Sequence, residues 1–359
     1  MSPIVAGCSG PDPRAPQPAD RWQTLDEFLK QRAAAGEFSG TVLVRSGERT
    51  VLERGYGMAD RDRGIANTPR TRFNIASLGK MFTAVAIADL AATGRLSFTD
   101  PVDRYLPGFA GTITLHHLLT HTAGLGDVPR EPGAPAALAD LAARIAETPP
   151  RFEPGARFAY SNAGFVVLGA VLEKVTGAPY ADRIQERVLA PAGMTETRLH
   201  PYRAAEIPDM AHGYVFVGAD GRPLPPGPGP RTGTPSDTAG EPQIVNPAGG
   251  ASSTAGDLLR FAGALLGHRL LDPAQTDTVL TGKVDSPRPG GAERDRYGYG
   301  FSDRQVNGVR VVGHNGGTPG YEAQLDIYPD RGHTVILLAN QDSALVPALR
   351  RTEELLTGA

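Results

Sequence analysis

The chain has 359 residues, of which 40% are hydrophobic, and this size and content suffice for a large core in one composite domain or two lobes. The formal net charge is −3 with acids and bases interspersed, which excludes the strong single-sign field that attracts nucleic acid or an anionic membrane. The single cysteine, Cys8, excludes an internal disulfide and a cysteine-rich metal site, and no apolar run reaches the roughly 18 residues that span a bilayer.

Residues 1–20 are rich in proline, glycine and small residues, and this composition predicts a disordered tail. The stretch VAGC, which ends at Cys8, is similar to the cleavage box of a bacterial lipoprotein. However, no basic n-region and no proper h-region precede it. Two interpretations stay open, a truncated export or lipid-anchoring signal and an incidental tail cysteine. The compartment is therefore open between extracytoplasmic and cytoplasmic.

After the tail, DRWQTLDEFLKQRAAAG predicts an amphipathic helix that ends at Gly36. Two predicted strands follow, GTVLVRSG and TVLERGYG. From Asn74 to about Leu271 helical periodicities dominate, and the proline- and glycine-rich segment GADGRPLPPGPGPRTGTPSD predicts a long loop. Three strand-like runs, RVVGHNG, YEAQLDIYP and HTVILLAN, precede a short helix at about Leu345 to Leu356.

Strands at both ends of the chain with helices between them predict an α/β fold of the α+β type. We expect one antiparallel sheet assembled from the two ends, flanked by helices, with a mostly helical lobe inserted. The expected domain covers residues 21–359. Its sheet lobe takes about 21–75 and 295–359, and its helical lobe takes about 76–294.

The stretch NIASLGKMFTAVAIADL places Ser77 and Lys80 at the start of an apolar helix that Gly94 is placed to end. Side chains at i and i+3 of a helix lie about 5–6 Å apart at Cβ, so the amine can reach the hydroxyl. The alternative is structural: a serine N-cap followed by a solvated lysine, which is the common meaning of an isolated SxxK.

Two other motifs are excluded at this position. A phosphate-binding loop needs GxxxxGK[ST], but Asn74 takes the first glycine position and Met81 follows the lysine. An α/β-hydrolase elbow needs GxSxG, and Ile75 stands at its first glycine. A Ser-Lys dyad remains.

A lysine near its ordinary pKa of about 10.4 is protonated at neutral pH and cannot accept a proton, so a dyad needs companions. Two segments supply candidates. PGARFAYSN carries Tyr160, Ser161 and Asn162 just before a predicted helix, and VVGHNGG ends a predicted strand with His314, Asn315, Gly316 and Gly317.

The order SxxK, YxN and Lys/His-x-Gly resembles the serine β-lactamase and penicillin-binding-protein family. The YSN form is similar to the branch of class C β-lactamases, D-alanyl-D-alanine carboxypeptidases and related esterases. The flanking stretches GRLSFTDPVDRYLP, TLHHLLTHTAGL and PAGGASSTAGDLLRF agree. The resemblance runs from about Trp22 to the end and implies the β-lactamase/transpeptidase-like fold.

The resemblance also implies roles for the motif residues. Ser77 would form an acyl-enzyme, with Lys80 and Tyr160 sharing the removal of its proton. Asn162 would hydrogen-bond Lys80 and the substrate. The backbone N–H groups of Ser77 and Gly317 would hold the oxyanion, and the remaining substrate-binding positions are His314, Asn315 and Gly316.

A metal or other cofactor is not expected. His117 and His121 are spaced i,i+4 and follow His116, but Leu118 to Thr120 offer no general-base carboxylate.

His314 stands where many relatives have a lysine that helps to recognise a substrate carboxylate, and Asn315 supplies no hydroxyl. Carboxylate recognition is therefore expected to be weakened, with Arg294 or Arg296 as candidate substitutes. No carboxylate is obviously assigned to activate the deacylating water.

Three functions are consistent with these residues. The first is a metal-independent serine hydrolase of small esters, amides or D-amino-acid peptides, and the second is a true β-lactamase or D,D-carboxypeptidase. The third is a penicillin- or peptide-binding protein without turnover. Transfer of the acyl group to an amine, the natural substrate and the oligomeric state stay open.

Overall fold

The computed structural model describes residues 18–128, 137–225, 233–286 and 295–358. The tail with Cys8 and the candidate Arg294 lie outside these ranges. Helix α1 begins at Pro18, so the last three residues of the predicted tail are helical. Within the described ranges, no helix is long and apolar enough to cross a membrane.

The centre of the molecule is an eight-stranded antiparallel sheet built from both ends of the chain, as predicted. Its strands are β1 (Gly40–Ser46), β2 (Arg49–Tyr56), β3 (Val284–Asp285), β4 (Arg296–Tyr297), β5 (Ser302–Val306), β6 (Val309–Thr318), β7 (Tyr321–Tyr328) and β8 (His333–Ala339). Their spatial order is β3-β4-β5-β6-β7-β8-β1-β2, and β8 lies beside β1 with Ala339 opposite Gly40.

Helices cover both faces of this sheet because side chains alternate along its strands. Val42 and Val44 pack with α1 and α10 on one face, whereas Leu43 faces the larger core around α2, α5 and α8. The helices are α1 (Pro18–Ala34), α2 (Gly79–Ala92), α3 (Leu115–Leu119), α4 (Leu138–Ala146), α5 (Asn162–Thr176), α6 (Tyr180–Ile184), α7 (Ala190–Ala192), α8 (Ala255–Leu266), α9 (Pro273–Leu280) and α10 (Leu345–Thr357).

Short helical turns connect some of these elements. Four are 3-10 turns and one is a π-helical segment that continues α6: Ala76–Leu78, Val102–Arg104, Ala204–Glu206, Pro329–Arg331 and Gln185–Leu189.

In the described ranges, four two-stranded sheets lie outside the central sheet: Met58–Asp60 with Ile65–Ala66, Phe73–Asn74 with Ser252–Ser253, Tyr202–Arg203 with Pro242–Gln243, and Tyr214–Val217 with Thr234–Asp237. The last pair corrects the prediction of one long loop over residues 218–237, because its final four residues form a strand. Residues 226–232 of that segment lie outside the described ranges.

The sheet and the helical part meet where β6 and β7 pass the 3-10 turn Ala76–Leu78 that leads into α2. This junction is where the SxxK serine and the late-strand glycines come together. The residue limits of the two lobes stay a prediction.

Candidate active site

Ser77 and Lys80 lie at the entry to α2 but are neither a cap nor a surface pair. Ser77 is the middle residue of the 3-10 turn, and the N-cap of α2 is Leu78, which makes no side-chain capping bond. Lys80 is completely buried. The structural alternative, a serine N-cap with a solvated lysine, therefore does not describe this pair.

Three oxygen atoms surround the Lys80 amine. Its Nζ lies 3.1 Å from Ser77 Oγ, 2.7 Å from Asn162 Oδ1 and 2.6 Å from the carbonyl oxygen of Ala248. All three acceptors are uncharged, and burial disfavours the ammonium form. Burial consequently lowers the pKa of Lys80 to about 7. At neutral pH a large share of the amine can thus accept a proton.

The turn that carries the serine is held in an unusual backbone conformation. Ala76 has φ of 44°, a value that residues with a side chain rarely adopt. Asn74 Oδ1 accepts a 2.8 Å hydrogen bond from Ala76 N, and the Ala76 carbonyl accepts a 3.1 Å bond from Gly250 N. These bonds fix the backbone on the N-terminal side of Ser77.

The segment from Asn246 to Gly250 forms the other wall of the lysine site. A Cβ atom on Gly249, whose φ is 145°, would lie 2.2 Å from the Ala76 carbonyl oxygen. Only glycine lets this backbone approach so closely. In the sequence this glycine is part of the stretch PAGG, which indicated the family resemblance but not the close approach of the loop to the serine turn.

The YSN residues lie at the start of α5 as predicted. Ser161 is the N-cap, and its hydroxyl accepts a hydrogen bond from Gly164 N at 3.3 Å. Asn162, the first helical residue, directs its amide oxygen to Lys80. The Tyr160 ring is about half exposed, and its centroid lies 4.8 Å from Lys80 Nζ.

His121 lies under Tyr160 and is a site neighbour that sequence reasoning missed. Its ring centroid is 4.3 Å from that of Tyr160, and its Nδ1 accepts a 3.1 Å hydrogen bond from Ser161 N. Burial, followed by electrostatic interaction with neighbouring Lys80 and His314, lowers the pKa of His121 well below its ordinary value, so the ring is neutral. The contact crosses 40 residues of sequence, and only the tertiary structure reveals it.

The other two histidines of the HHxxxH stretch have separate roles. His116 Nδ1 lies 2.9 Å from the Tyr299 hydroxyl, whereas His117 forms a capping box with Thr114 at the start of α3. Across the described ranges, no group of three or more His, Cys, Asp and Glu side chains is arranged to hold a metal ion.

Strand β6 brings the late-strand motif against the serine. A Cβ on Gly316 would lie 2.8 Å from Ser77 N, so the strand backbone passes directly over the serine peptide. Asn315 and Gly317 are exposed on the opposite side of the strand, and nothing lies within 4 Å of the position that a Cβ on Gly317 would take.

His314 points into the protein beside Tyr160. Its Nδ1 donates to the Asn315 carbonyl, and its Nε2 accepts a 2.8 Å hydrogen bond from the Tyr297 hydroxyl. The side chain is only 3% exposed. His314 therefore lies in the neighbourhood predicted for it, but both ring nitrogens have protein partners. Of the candidate arginines, Arg296 precedes Tyr297 on β4 and lines a cavity next to the site.

Comparison with known proteins identifies the class: the fold is that of serine hydrolases of the β-lactamase and penicillin-binding-protein type. A crystal structure of a D-stereospecific amidohydrolase from Streptomyces sp. superposes with a TM-score of 0.77 at 26% identity over 96% of this chain and all of that one.

The chain belongs to the Beta-lactamase family, whose sequence model matches residues 25–358. It is 32% identical to penicillin-binding protein 4* of Bacillus subtilis, over 89% of this chain and 71% of the relative. It is 31% identical to esterase EstB of Burkholderia gladioli over 80% of each chain. The predicted family and the predicted enzyme class, a serine hydrolase, are thereby confirmed.

Proposed function

We propose that the protein hydrolyses small esters or amides, including amides of D-amino acids, through an acyl-enzyme on Ser77. One observation carries the proposal: a completely buried lysine, whose pKa is lowered to about 7, lies 3.1 Å from the serine hydroxyl. That arrangement supplies the nucleophile and its base in one helical turn.

In the acylation step, neutral Lys80 takes the proton of Ser77 Oγ as that oxygen attacks the substrate carbonyl. The backbone N–H groups of Ser77 and Gly317 hold the resulting oxyanion at the junction of the 3-10 turn and β6. The intermediate collapses as the bond to the leaving group breaks, and the lysine returns its proton to the departing oxygen or nitrogen. Ser77 then carries the acyl group.

Tyr160 and Asn162 assist the proton transfer by Lys80. The face of the Tyr160 ring stabilises the ammonium that forms in the transition state, because Lys80 Nζ lies 4.8 Å from its centroid. The phenol hydroxyl takes part in proton transfer to the leaving group. Asn162 fixes the lysine through its 2.7 Å hydrogen bond and offers its amide to the substrate.

Deacylation reverses these roles. A water molecule attacks the acyl carbonyl and gives its proton to neutral Lys80, directly or through the Tyr160 hydroxyl, and the proton then returns to the Ser77 oxygen as that oxygen leaves. The three acceptors around Lys80 include no carboxylate within the described residues. Base catalysis of both steps therefore falls to the lysine and tyrosine.

The relatives support esters and amides as substrates, since one is named an esterase and one a D-stereospecific amidohydrolase. The second candidate, a β-lactamase or D,D-carboxypeptidase, is favoured by the similarity to a penicillin-binding protein. A binding protein without turnover remains the contrasting class.

Steady-state turnover of three substrates separates these functions: p-nitrophenyl butyrate, D-phenylalanine p-nitroanilide and a chromogenic cephalosporin. We expect kcat/KM for the ester or the anilide to exceed that for the cephalosporin, with all activity lost in Ser77→Ala. A higher value for the cephalosporin favours the β-lactamase. A single burst without turnover on any substrate favours the binding protein.

A further inference from the structure

A cavity of about 350 Å³ opens beside the candidate active site, and no role has been assigned to it. It lies between the loop before Tyr160 and the edge strands β3 and β4. Its lining residues are Thr122, Gly155, Ala156, Arg157, Phe158, Lys283, Val284, Asp285 and Arg296.

The cavity shares a wall with the catalytic neighbourhood. The Phe158 ring lies 5.7 Å from both the His121 and the Tyr297 rings, and His121 in turn stacks under Tyr160. Thr122 directly follows His121. The cavity therefore lies next to the aromatic side chains around the reacting end of a substrate bound at Ser77, where it can take another part of that substrate.

The charge of this cavity is positive. Among the described residues that line it, three side chains are cationic, namely Arg157, Lys283 and Arg296, and one is anionic, Asp285. The Asp285 side chain is 89% exposed, and its oxygen lies 3.5 Å from Arg296 Nε, so this ion pair is solvated and weak. Arg157 is held in place by stacking over Phe152, at 4.2 Å from the ring centroid.

Lys283 and Arg296 are neighbours across the paired edge strands. Arg296 Nη2 donates a 3.1 Å hydrogen bond to the Lys283 carbonyl, and the Lys283 amine lies 5.1 Å over the Tyr299 ring. Burial, followed by the positive charge of Arg296, lowers the pKa of Lys283. The negative charge of Asp303 partly opposes this shift, and an anion bound in the cavity would oppose it further.

We propose that this basic cavity, lined by Arg157, Lys283 and Arg296, binds a carboxylate carried by the substrate away from its scissile bond. The inference rests on the proposed function, because it names a substrate class for the same site. The two arginines and the lysine that line the cavity are donors of the kind that suits a carboxylate, and the apolar side chains of Phe158 and Val284 line the same cavity beside them.

Two series of esters, each with a neutral reference ester, test the proposal. In the acyl series, mono-p-nitrophenyl adipate and suberate are compared with p-nitrophenyl butyrate. In the leaving-group series, 4-acetoxybenzoate is compared with phenyl acetate. The readout is the ratio of kcat/KM for the carboxylate ester to that for its neutral partner, in wild type, Lys283→Met, Arg157→Gln and the exposed control Lys174→Met.

We expect the ratio to fall about 10-fold or more in Lys283→Met and in Arg157→Gln, because each variant loses a charge-assisted hydrogen bond to the carboxylate. In Lys174→Met the ratio should stay within about twofold. A fall in either series supports the proposal and shows which part of the substrate carries the anion. Ratios that stay constant in both series and both cavity variants overturn it. If one variant does not fold, the other still decides.

Binding separates this proposal from the proposed function. Adipate is titrated calorimetrically into Ser77→Ala and into Ser77→Ala with Lys283→Met. Adipate binding that Lys283→Met abolishes supports the cavity site even if wild type hydrolyses no ester. Undetectable or unchanged binding overturns the cavity site even if Ser77 is the nucleophile of an active esterase.

Discussion

The Nζ of Lys80 donates a 2.6 Å hydrogen bond to the carbonyl oxygen of Ala248, a residue 168 positions further along the chain. The lysine is therefore fixed by a distant loop as well as by Ser77 and Asn162. The loop reaches it only because Gly249 lies directly against the Ala76 carbonyl.

Gly249→Ala tests the role of this loop. The new Cβ would start 2.2 Å from the Ala76 carbonyl oxygen, so the loop or the serine turn must shift. We expect kcat to fall roughly 10- to 100-fold, because small displacements of catalytic groups are costly. Gly240→Ala is the control, since nothing lies within 4 Å of its Cβ position. Equal kcat values in both variants would show that the loop does not position Lys80.

Lys80 and Tyr160 are expected to act as one proton-transfer unit. Lys80→Ala and Tyr160→Phe should each lower kcat/KM by about 10²-fold or more. The double variant should lose much less than the product of the single losses, because either change alone already disables the unit. Steady-state kinetics of the four proteins with one neutral ester measure the coupling. Fully multiplicative losses contradict the shared role.

The pH profile reports the protonation of Lys80. Burial lowers its pKa to about 7, so the lysine is charged and inactive as a base below this pH and neutral above it. We expect kcat/KM for a neutral ester to rise with pH through about 7 and then to level off. Tyr160→Phe should retain this rising limb at reduced height. A wild-type profile that falls through this range contradicts Lys80 as the base.

His314→Lys tests whether this position can recognise substrate charge. A lysine here places a permanent cation beside Tyr160 but loses the 2.8 Å hydrogen bond from the Tyr297 hydroxyl. For esters with a carboxylate next to the scissile bond, we expect kcat/KM relative to a neutral ester to rise about 5- to 150-fold. His314→Gln is the uncharged control. The same ratio in both variants contradicts a charge-reading role for this position.

The sequence predicted the central part of the sheet well because β1, β2, β6, β7 and β8 are long strands with continuous or alternating apolar residues. It missed β3 and β4, which are two residues long and carry too little pattern to detect, and it also missed the five-residue β5. Strand β4 carries Arg296 and Tyr297, and Lys283 directly precedes β3, so the cavity that these residues border could not be predicted.

The motif residues of the site were predictable, but their surroundings were not. SxxK and YSN each depend on local spacing, which a sequence shows directly. The burial of Lys80, the left-handed backbone of Ala76 and the contact of His121 with Ser161 depend on segments that meet only in the folded protein. Such contacts determine whether a lysine is a surface charge or a base.

Intact-protein mass spectrometry of the acyl-enzyme is the most direct test of the central claim. Wild type is mixed with a p-nitrophenyl ester, quenched in acid during turnover and digested to locate the adduct. We predict the mass of one acyl group on the peptide that contains Ser77, accumulation of this adduct in Tyr160→Phe and none in Ser77→Ala. Turnover with an unmodified Ser77, or an adduct that persists in Ser77→Ala, would contradict the account.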